Sequence, residues 1–219
     1  AAGVIVGVIS LTGVGARFSA LLLGLAEAST LLALVFAMMI SIILGMGMPT
    51  TAAYAVAASV VAPGLVQLGV PPLVAHFFVF YFAVISAITP PVALAAYAGG
   101  AIAGAHPMKT SVESFRFGLT AFIVPFMFFY NAALLMEGDA VTVLRAAATA
   151  IVGVWLLSQA VQGWFMGPIN YGLRAILLAA ALSMIAGGLA TDLVGLALLA
   201  LVFAIVRIAG RRTAGAEGG

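Results

Sequence analysis

Long apolar runs occupy most of the chain, and short clusters of Gly, Pro, Ser and Thr separate them. Such runs predict membrane helices, since about 20 consecutive apolar residues cross a bilayer. Two clusters interrupt apolar runs: the first cluster, 45–51, reads Gly-Met-Gly-Met-Pro-Thr-Thr, and the second cluster, 86–91, reads Ser-Ala-Ile-Thr-Pro-Pro. Because proline removes a backbone donor and glycine permits unusual dihedral angles, both clusters predict interrupted helices.

The first half of the chain predicts a helical hairpin followed by a discontinuous helix. Apolar helices are expected at 30–44 and 52–61, joined by the first cluster and ended by Pro63. Because each arm is short, we favour a re-entrant hairpin; the alternative is one kinked spanning helix. A further helix is expected to begin near 73 and to resume beyond the second cluster over 92–104.

The rest of the chain predicts an amphipathic helix and a group of spans. Residues 105–117 combine Lys109 and Arg116 with apolar positions, which indicates a helix on the membrane surface. A C-terminal four-helix extension is expected over 118–212, and the short polar tail at 213–219 is expected to be disordered. The four predicted spans are 118–136, 140–161, 172–188 and 191–208. The predicted fold class is therefore an all-α polytopic membrane protein.

The composition supports this assignment: 65% of residues are hydrophobic and 6% are charged, against about 25% charged in soluble domains. A net charge of +2 on separated arginines gives no basic patch for nucleic acid.

Arg145 lies near the outer end of the predicted span at 140–161, where we expect its side chain to snorkel or to pair with Glu137 or Asp139. The chain opens at Ala1 inside an apolar run, so we expect a piece of a longer protein.

The sequence offers little for an enzyme. It has no Cys and two His residues, and it contains neither a Gly-x-Ser-x-Gly elbow nor a phosphate-binding loop. We therefore predict that the protein is not an enzyme and has no organic cofactor. The first predicted domain is an N-terminal helix with an interfacial segment at 1–29, and the second, at 30–104, is the hairpin together with the discontinuous helix.

A cation site is the chemistry that the two clusters favour. Residues 30–104 contain no Asp, Glu, Lys or Arg, so a proton relay would have only His76. Sodium, in contrast, binds to neutral carbonyl and hydroxyl oxygens. The candidate ligands are Gly45, Gly47, Thr50, Thr51, Ser86, Ile88, Thr89 and Val92. The alternative is that the hydroxyls of Thr50 and Thr51 cap a helix and that Thr89 bonds its own backbone.

Helices that begin beyond each cluster also suit a substrate carboxylate. Their first amide groups are free, and the helix dipole is positive there. Candidate substrate-binding residues are Thr51, Pro90, Pro91 and Tyr54.

Several motifs resemble the large permease subunit of tripartite ATP-independent periplasmic (TRAP) transporters, in particular the fused permeases that work with TAXI-type binding proteins. The motifs are Leu-Gly-Met-Gly-Met-Pro-Thr-Thr-Ala-Ala-Tyr at 44–54, Leu-Gly-Val-Pro-Pro at 68–72 and Ile-Thr-Pro-Pro-Val-Ala-Leu at 88–94. The upstream Gly-Val-Ile-Ser-Leu-Thr-Gly at 7–13 and Arg-Phe-Ser at 17–19 also fit. The resemblance covers 1–136, and the later spans are similar to the C-terminal extension of the fused type.

The resemblance implies two inverted repeats, of which this chain is similar to the second, so the N-terminal half of the permease would be a missing partner. It also implies elevator-like, sodium-driven import of an organic acid that a periplasmic solute-binding protein delivers. The implied location is a bacterial or archaeal cytoplasmic membrane, so membrane lipid is an expected partner. The alternative function is that of a non-transporting membrane assembly or scaffold subunit, in which the clusters only shape helix packing.

Overall fold

The computed structural model describes residues 2–216, with side chains described over 3–207. The described residues form helices and turns without a β-strand. Among them, four helices are long and apolar enough to cross a membrane, and one further bent pair passes the same test. The predicted all-α polytopic membrane fold is therefore confirmed. The chain divides into two compact units, Ala1–Phe129 and Tyr130–Gly219.

Short connections join the helices of the first unit. They are α1 (Ala2–Thr12), α2 (Val14–Ala28), α3 (Thr30–Gly45), α4 (Thr50–Gln67), α5 (Pro72–Ile85), a 3₁₀ turn (Ser86–Ile88), α6 (Leu94–Ile102), α7 (Pro107–Gly118), a second 3₁₀ turn (Leu119–Ile123) and α8 (Val124–Tyr130). Between α1 and α2, Gly13 has φ +66° and the chain bends by 67°.

Helix α4 lies at the centre of the first unit and packs against α1, α2, α3 and α5. Its buried face consists of small residues, such as Ala53 and Ala57. At Gly64, an added Cβ would lie 2.6 Å from Leu22 Cδ1 and 3.2 Å from Ser19 Cα of α2. The two helices therefore approach each other closely, as small residues permit in membranes.

The described chain differs from the sequence prediction at Pro63. The sequence predicts a helix end at 61, but α4 continues through Pro63 to Gln67. Proline inside a helix costs about 3 kcal/mol because a hydrogen bond is lost and the ring crowds the preceding turn. The next residue, Gly64, is packed directly on α2, and we attribute the continued helix to this tertiary contact.

Helices α3 and α4 pack against each other, and both pack against α5. This arrangement favours a helical hairpin over a single kinked helix. Helix α4 is itself long and apolar enough to span, and a re-entrant course through the bilayer stays a prediction.

An aromatic cluster fixes α8 and the preceding 3₁₀ turn to α5. Phe78 and Phe82 are fully buried, with ring centroids 4.9 Å apart. Phe126 of α8 lies 5.4 Å from the Phe78 ring and 5.9 Å from the Phe82 ring. Phe122 adds a further contact at 6.1 Å from Phe82. Phe78 and Phe82, one turn apart on α5, therefore form the face that packs against Phe126 and Phe122.

The helix type changes close to the predicted division between a surface helix at 105–117 and a span at 118–136: α7 ends at Gly118 and a 3₁₀ turn begins at Leu119. The surface position of 105–117 stays a prediction. The helical path runs from Pro107 to Tyr130 through this 3₁₀ turn. Taken as one segment, it is long and apolar enough to cross a membrane. It ends at Asn131, whose Oδ1 accepts a hydrogen bond from the Ala133 amide at 3.3 Å. Gly118, the last residue of α7, packs directly on the Ile88 side chain.

The second unit contains three long helices, α9 (Ala140–Gln162), α10 (Tyr171–Ile185) and α11 (Leu189–Ala216), after a 3₁₀ turn at Ala132–Leu135. Helix α10 packs against both others, and at 15 residues it is shorter than the predicted span at 172–188. An added Cβ on Gly153 of α9 would lie 3.2 Å from Ala181 O, and one on Gly195 of α11 would lie 3.0 Å from Ala180 O. Helix α11 extends to Ala216, beyond the predicted start of the tail at 213; residues 217–219 lie outside the described residues.

Arg145 pairs differently from the prediction. Its Nη2 donates to the Gly187 carbonyl at 3.1 Å, and its Nε lies 3.8 Å from Asp192 Oδ2. Asp139 instead caps α9, accepting from the Thr142 hydroxyl at 2.6 Å and the Thr142 amide at 3.2 Å. These bonds lower the pKa of the Asp139 carboxyl. The expected pairing of Arg145 with Glu137 or Asp139 was therefore wrong; the acid that it meets is distant in sequence.

We predict that Arg145→Met destabilises the protein more than the double change Arg145→Met with Asp192→Leu. The single change leaves a carboxylate, whose side chain is 7% exposed, without its cation. The expected loss is about 3 kcal/mol of unfolding free energy, at the low end for buried pairs because Arg145 is 34% exposed. Reversible unfolding in detergent micelles measures it.

The exposed pair of Arg116 and Glu113, at 2.9 Å, supplies the control. Arg116→Met should change stability by less than about 1 kcal/mol, since solvent screens exposed pairs. A double variant no more stable than Arg145→Met alone would contradict the role assigned to Asp192.

Candidate functional site

The first break is the segment 46–49, where α3 has ended at Gly45 and α4 has not yet begun at Thr50. Gly47 lies here with φ +77°, a conformation that favours glycine. Within the described residues, the carbonyl oxygens of Met46, Gly47 and Met48 accept no hydrogen bond. The loop therefore offers three free acceptors.

The second break is the segment 88–93. It begins with the last residue of the 3₁₀ turn Ser86–Ile88 at the end of α5 and precedes α6, which begins at Leu94. In the described part of the chain, the carbonyl oxygens of Ile88, Pro90 and Val92 accept no hydrogen bond. This break thus offers free acceptors of the same kind as the first.

The first break lies beside the second. An added Cβ on Gly45 would lie 2.7 Å from Ser86 Oγ and 2.8 Å from the Ala83 carbonyl oxygen. An added Cβ on Gly47 would lie 3.5 Å from Val92 Cγ1. Only a glycine at position 45 allows the end of α3 to approach α5 this closely. The geometry thus brings together Gly45, Gly47, Ser86 and Val92, four of the residues predicted from sequence.

The hydroxyls of Ser86 and Thr89 bond to their own helix. Ser86 Oγ donates to the Ala83 carbonyl at 2.6 Å, and Thr89 Oγ1 donates to the Ile85 carbonyl at 2.9 Å. Both residues are buried. For Thr89, this is the local bonding that the sequence left open as an alternative. Because each hydroxyl uses its proton in this bond, its lone pairs remain available to accept from another group.

Thr50 and Thr51 do not cap α4. The N-cap position is Pro49, and the helix has no side-chain cap. Both threonines are exposed, and their hydroxyls make no hydrogen bond to any described residue. The amides of Thr50, Thr51 and Ala52 likewise find no backbone acceptor there. The start of α4 therefore presents free donors together with two unbonded hydroxyls.

Tyr54, a candidate for substrate binding, faces α5. Its hydroxyl lies 2.9 Å from His76 Nδ1, and its ring packs edge-on against Phe80 at 5.5 Å. The hydroxyl is therefore engaged with His76 instead of being free to contact the breaks.

Tyr97 and Pro91 connect α6 to the second break. The Tyr97 hydroxyl donates to the carbonyl oxygen of Pro91, the residue that follows a cis Pro90–Pro91 peptide bond. Pro91 is exposed and Pro90 is half-buried. Of these two candidate substrate residues, Pro90 therefore retains a free carbonyl and Pro91 does not.

Helix α7 packs against Ile88, at the start of the second break, and against α6, which follows the break. An added Cβ on Gly118 would lie 2.6 Å from Ile88 Cδ1, and one on Gly100 of α6 would lie 3.0 Å from Thr110 Oγ1 of α7. Ile88 can therefore offer the site its carbonyl oxygen, while its side chain is packed on α7. The sequence analysis missed Gly100 and Gly118 because a glycine's packing partner is not encoded locally.

The oxygens gathered here are neutral. Among the described residues, no group of three or more His, Asp or Glu side chains is placed to hold a metal ion. Any cation at the two breaks would thus be bound by carbonyl and hydroxyl dipoles. Sequence reasoning also missed the carbonyls of Met46 and Met48, whose availability depends on the path of the backbone.

Comparison with protein-family models gives a match over residues 1–138, a region that includes both breaks and α7. The matching family is described as the tripartite ATP-independent periplasmic transporter, DctM component. Searches of curated proteins and of solved structures found no match. The family match covers more than half of the chain, so this multi-pass membrane protein belongs to the DctM component family of TRAP transporters.

Proposed function

We propose that the protein is part of a sodium-coupled permease that imports small organic anions, carboxylates above all. The observation that carries the proposal is the close approach of the two breaks, with Gly45 packed on Ser86 and Gly47 lying beside Val92. Carbonyl oxygens without hydrogen-bond partners lie on both sides of this contact. Such oxygens are costly in a membrane unless they line a cavity or bind an ion.

A sodium ion suits these ligands. Its hydration shell can be replaced by carbonyl dipoles and hydroxyl lone pairs. The first break contributes the carbonyls of Met46, Gly47 and Met48, and the second contributes those of Ile88 and Pro90. The buried Thr89 oxygen, whose proton points at Ile85, would complete the site.

The same residues provide a basis for coupling sodium to an anion. Residues 30–104 contain no Asp, Glu, Lys or Arg, so no carboxylate of this segment would compensate the charge of a bound sodium ion. A carboxylate nearby would then be favoured, and by linkage the anion would tighten sodium binding equally.

The N-termini of α4 and α6 are the proposed positions for that carboxylate. Free amides at Thr50 and Thr51 and the positive end of the helix dipole favour an anion at the first. The exposed Pro91 marks the approach to the second. The hydroxyls of Thr50 and Thr51 are available as further donors. The Tyr54 hydroxyl, in contrast, is hydrogen-bonded with His76.

The family is tripartite, and membership implies a periplasmic binding protein and a small permease component as partners. We further propose that the binding protein, of TAXI type, delivers the anion to a bacterial or archaeal cytoplasmic membrane. There, the N-terminal half of the permease would supply the other repeat, and the two would move the substrate by an elevator-like motion. A scaffold subunit would need no free oxygens at either break.

We predict that Thr89→Val weakens the apparent affinity for sodium about tenfold or more. Valine preserves the shape of threonine but removes the oxygen, and one interaction between an oxygen and an ion is worth at least about 1.4 kcal/mol. The measurement is stabilisation of the purified protein by NaCl relative to choline chloride, followed as a shift in the unfolding midpoint.

Thr89→Ser keeps the oxygen and should retain sodium binding. Thr149→Val is the matched control, because the Thr149 hydroxyl also bonds its own helix, at 3.1 Å from the Arg145 carbonyl, but lies in α9. Equal sodium stabilisation in Thr89→Val and the unchanged protein would remove Thr89 from the site.

Gly45→Ala should weaken sodium binding and lower stability together. The new methyl group must displace the Ala83 carbonyl or the Ser86 hydroxyl, and overpacking of this kind costs about 1–3 kcal/mol. Gly24→Ala is the control, since an added Cβ there meets nothing within 4 Å. Sodium titrations of both variants test this: undiminished affinity in Gly45→Ala would show that the contact between the breaks is irrelevant to the ion.

A further inference from the structure

The second unit contains a groove between α9, the turn that follows it and α11. Its volume is about 510 Å³, within the range of about 300–1,000 Å³ typical of small-molecule sites. Trp155, Phe165 and Phe203 form much of its wall, and Ala200 lies in the wall formed by α11. Gln159 is the one residue with a polar side chain among those that line it.

The groove lies on helices that are candidates to cross the membrane. Both α9 and the Leu189–Arg207 part of α11 are long and apolar enough to cross a membrane. In a bilayer, an open apolar groove on such helices suits an acyl chain. The Trp155 ring packs against the Phe165 ring at 5.8 Å, which gives the groove a preformed aromatic wall.

A positively charged side chain, that of Arg207, lies on α11 one turn beyond Phe203 of the groove. The Arg207 guanidinium lies 5.8 Å from the centre of the Phe203 ring. Arg207 is exposed, and among the described residues it has no acidic partner within ion-pair distance. Arg211 follows one turn later in the sequence. The apolar groove thus leads directly to an uncompensated positive charge.

We propose that this groove binds an anionic phospholipid, with one acyl chain along Trp155 and Ala200 and the headgroup phosphate at Arg207. Charge selects this occupant over a zwitterionic lipid. An apolar helix from a second copy of the chain would fill the groove without using Arg207. Positively charged residues at the ends of membrane helices attract anionic headgroups by about fivefold each in affinity.

Quenching of tryptophan fluorescence tests the proposal directly. The chain has two tryptophans, so Trp164→Phe leaves Trp155 as the reporter inside the groove. The full chain is placed in nanodiscs that contain phosphatidylglycerol or phosphatidylcholine with brominated acyl chains, in a background of unbrominated phosphatidylcholine. The proposal predicts that Trp155 is quenched at about fivefold lower mole fractions of the brominated phosphatidylglycerol.

Two variants, each with a control, separate the headgroup from the acyl chain. Arg207→Gln should remove the preference for phosphatidylglycerol, whereas Lys109→Gln, which removes one positive charge in the first unit, should preserve it. Ala200→Phe should fill the groove and weaken quenching by both lipids, whereas Ala197→Phe, on an exposed position of α11 outside the groove, should not.

Three results would overturn the proposal. Equal quenching by the two lipids would show ordinary contact with bulk lipid. A preference that survives Arg207→Gln would place the selective charge elsewhere. Absence of quenching by either lipid would show that a protein segment covers the groove.

Discussion

A membrane helix can be interrupted only where the released backbone groups are protected, and here the protection depends on the absence of one side chain. Gly45 ends α3 directly against the Ala83 carbonyl and the Ser86 hydroxyl. The contact places the first break beside the second, and both breaks contain carbonyl oxygens without a hydrogen-bond partner among the described residues. Helix α7 supports this arrangement through Gly118 and Ile88. The proposed sodium site follows from this packing, since the ion would replace the missing hydrogen-bond donors.

The two helix interruptions were predictable because backbone chemistry encodes them. Gly45, Gly47 and Pro49 lie within five positions of one another, and this combination favours an interruption, as do the consecutive prolines of the second cluster. What sequence could not decide was the direction of each hydroxyl. Thr89 bonds Ile85 while Thr50 and Thr51 remain unbonded, because these choices depend on local backbone geometry. The partner of Tyr54 was not predictable for a different reason: its hydroxyl meets His76, which lies on another helix.

The fold followed the same division between local and distant information. Apolar periodicity and composition predicted an all-helical membrane protein, but the helix through Pro63 did not follow from local propensity. Contact of Gly64 with α2 explains that difference. In the second unit, Arg145 has two acids close in sequence, yet Asp139 is used to cap α9 and the guanidinium meets Asp192. A pairing across 47 positions, 145 to 192, has no signal in a single sequence.

The central claim is that the two breaks jointly present neutral oxygens to sodium. The most direct measurement is a high-resolution electron cryomicroscopy map of the complete permease in NaCl, compared with one in choline chloride. The account predicts density present only with sodium, contacted by carbonyl oxygens from both 46–49 and 88–93. Density contacted by one break alone, or identical maps in the two salts, would contradict it.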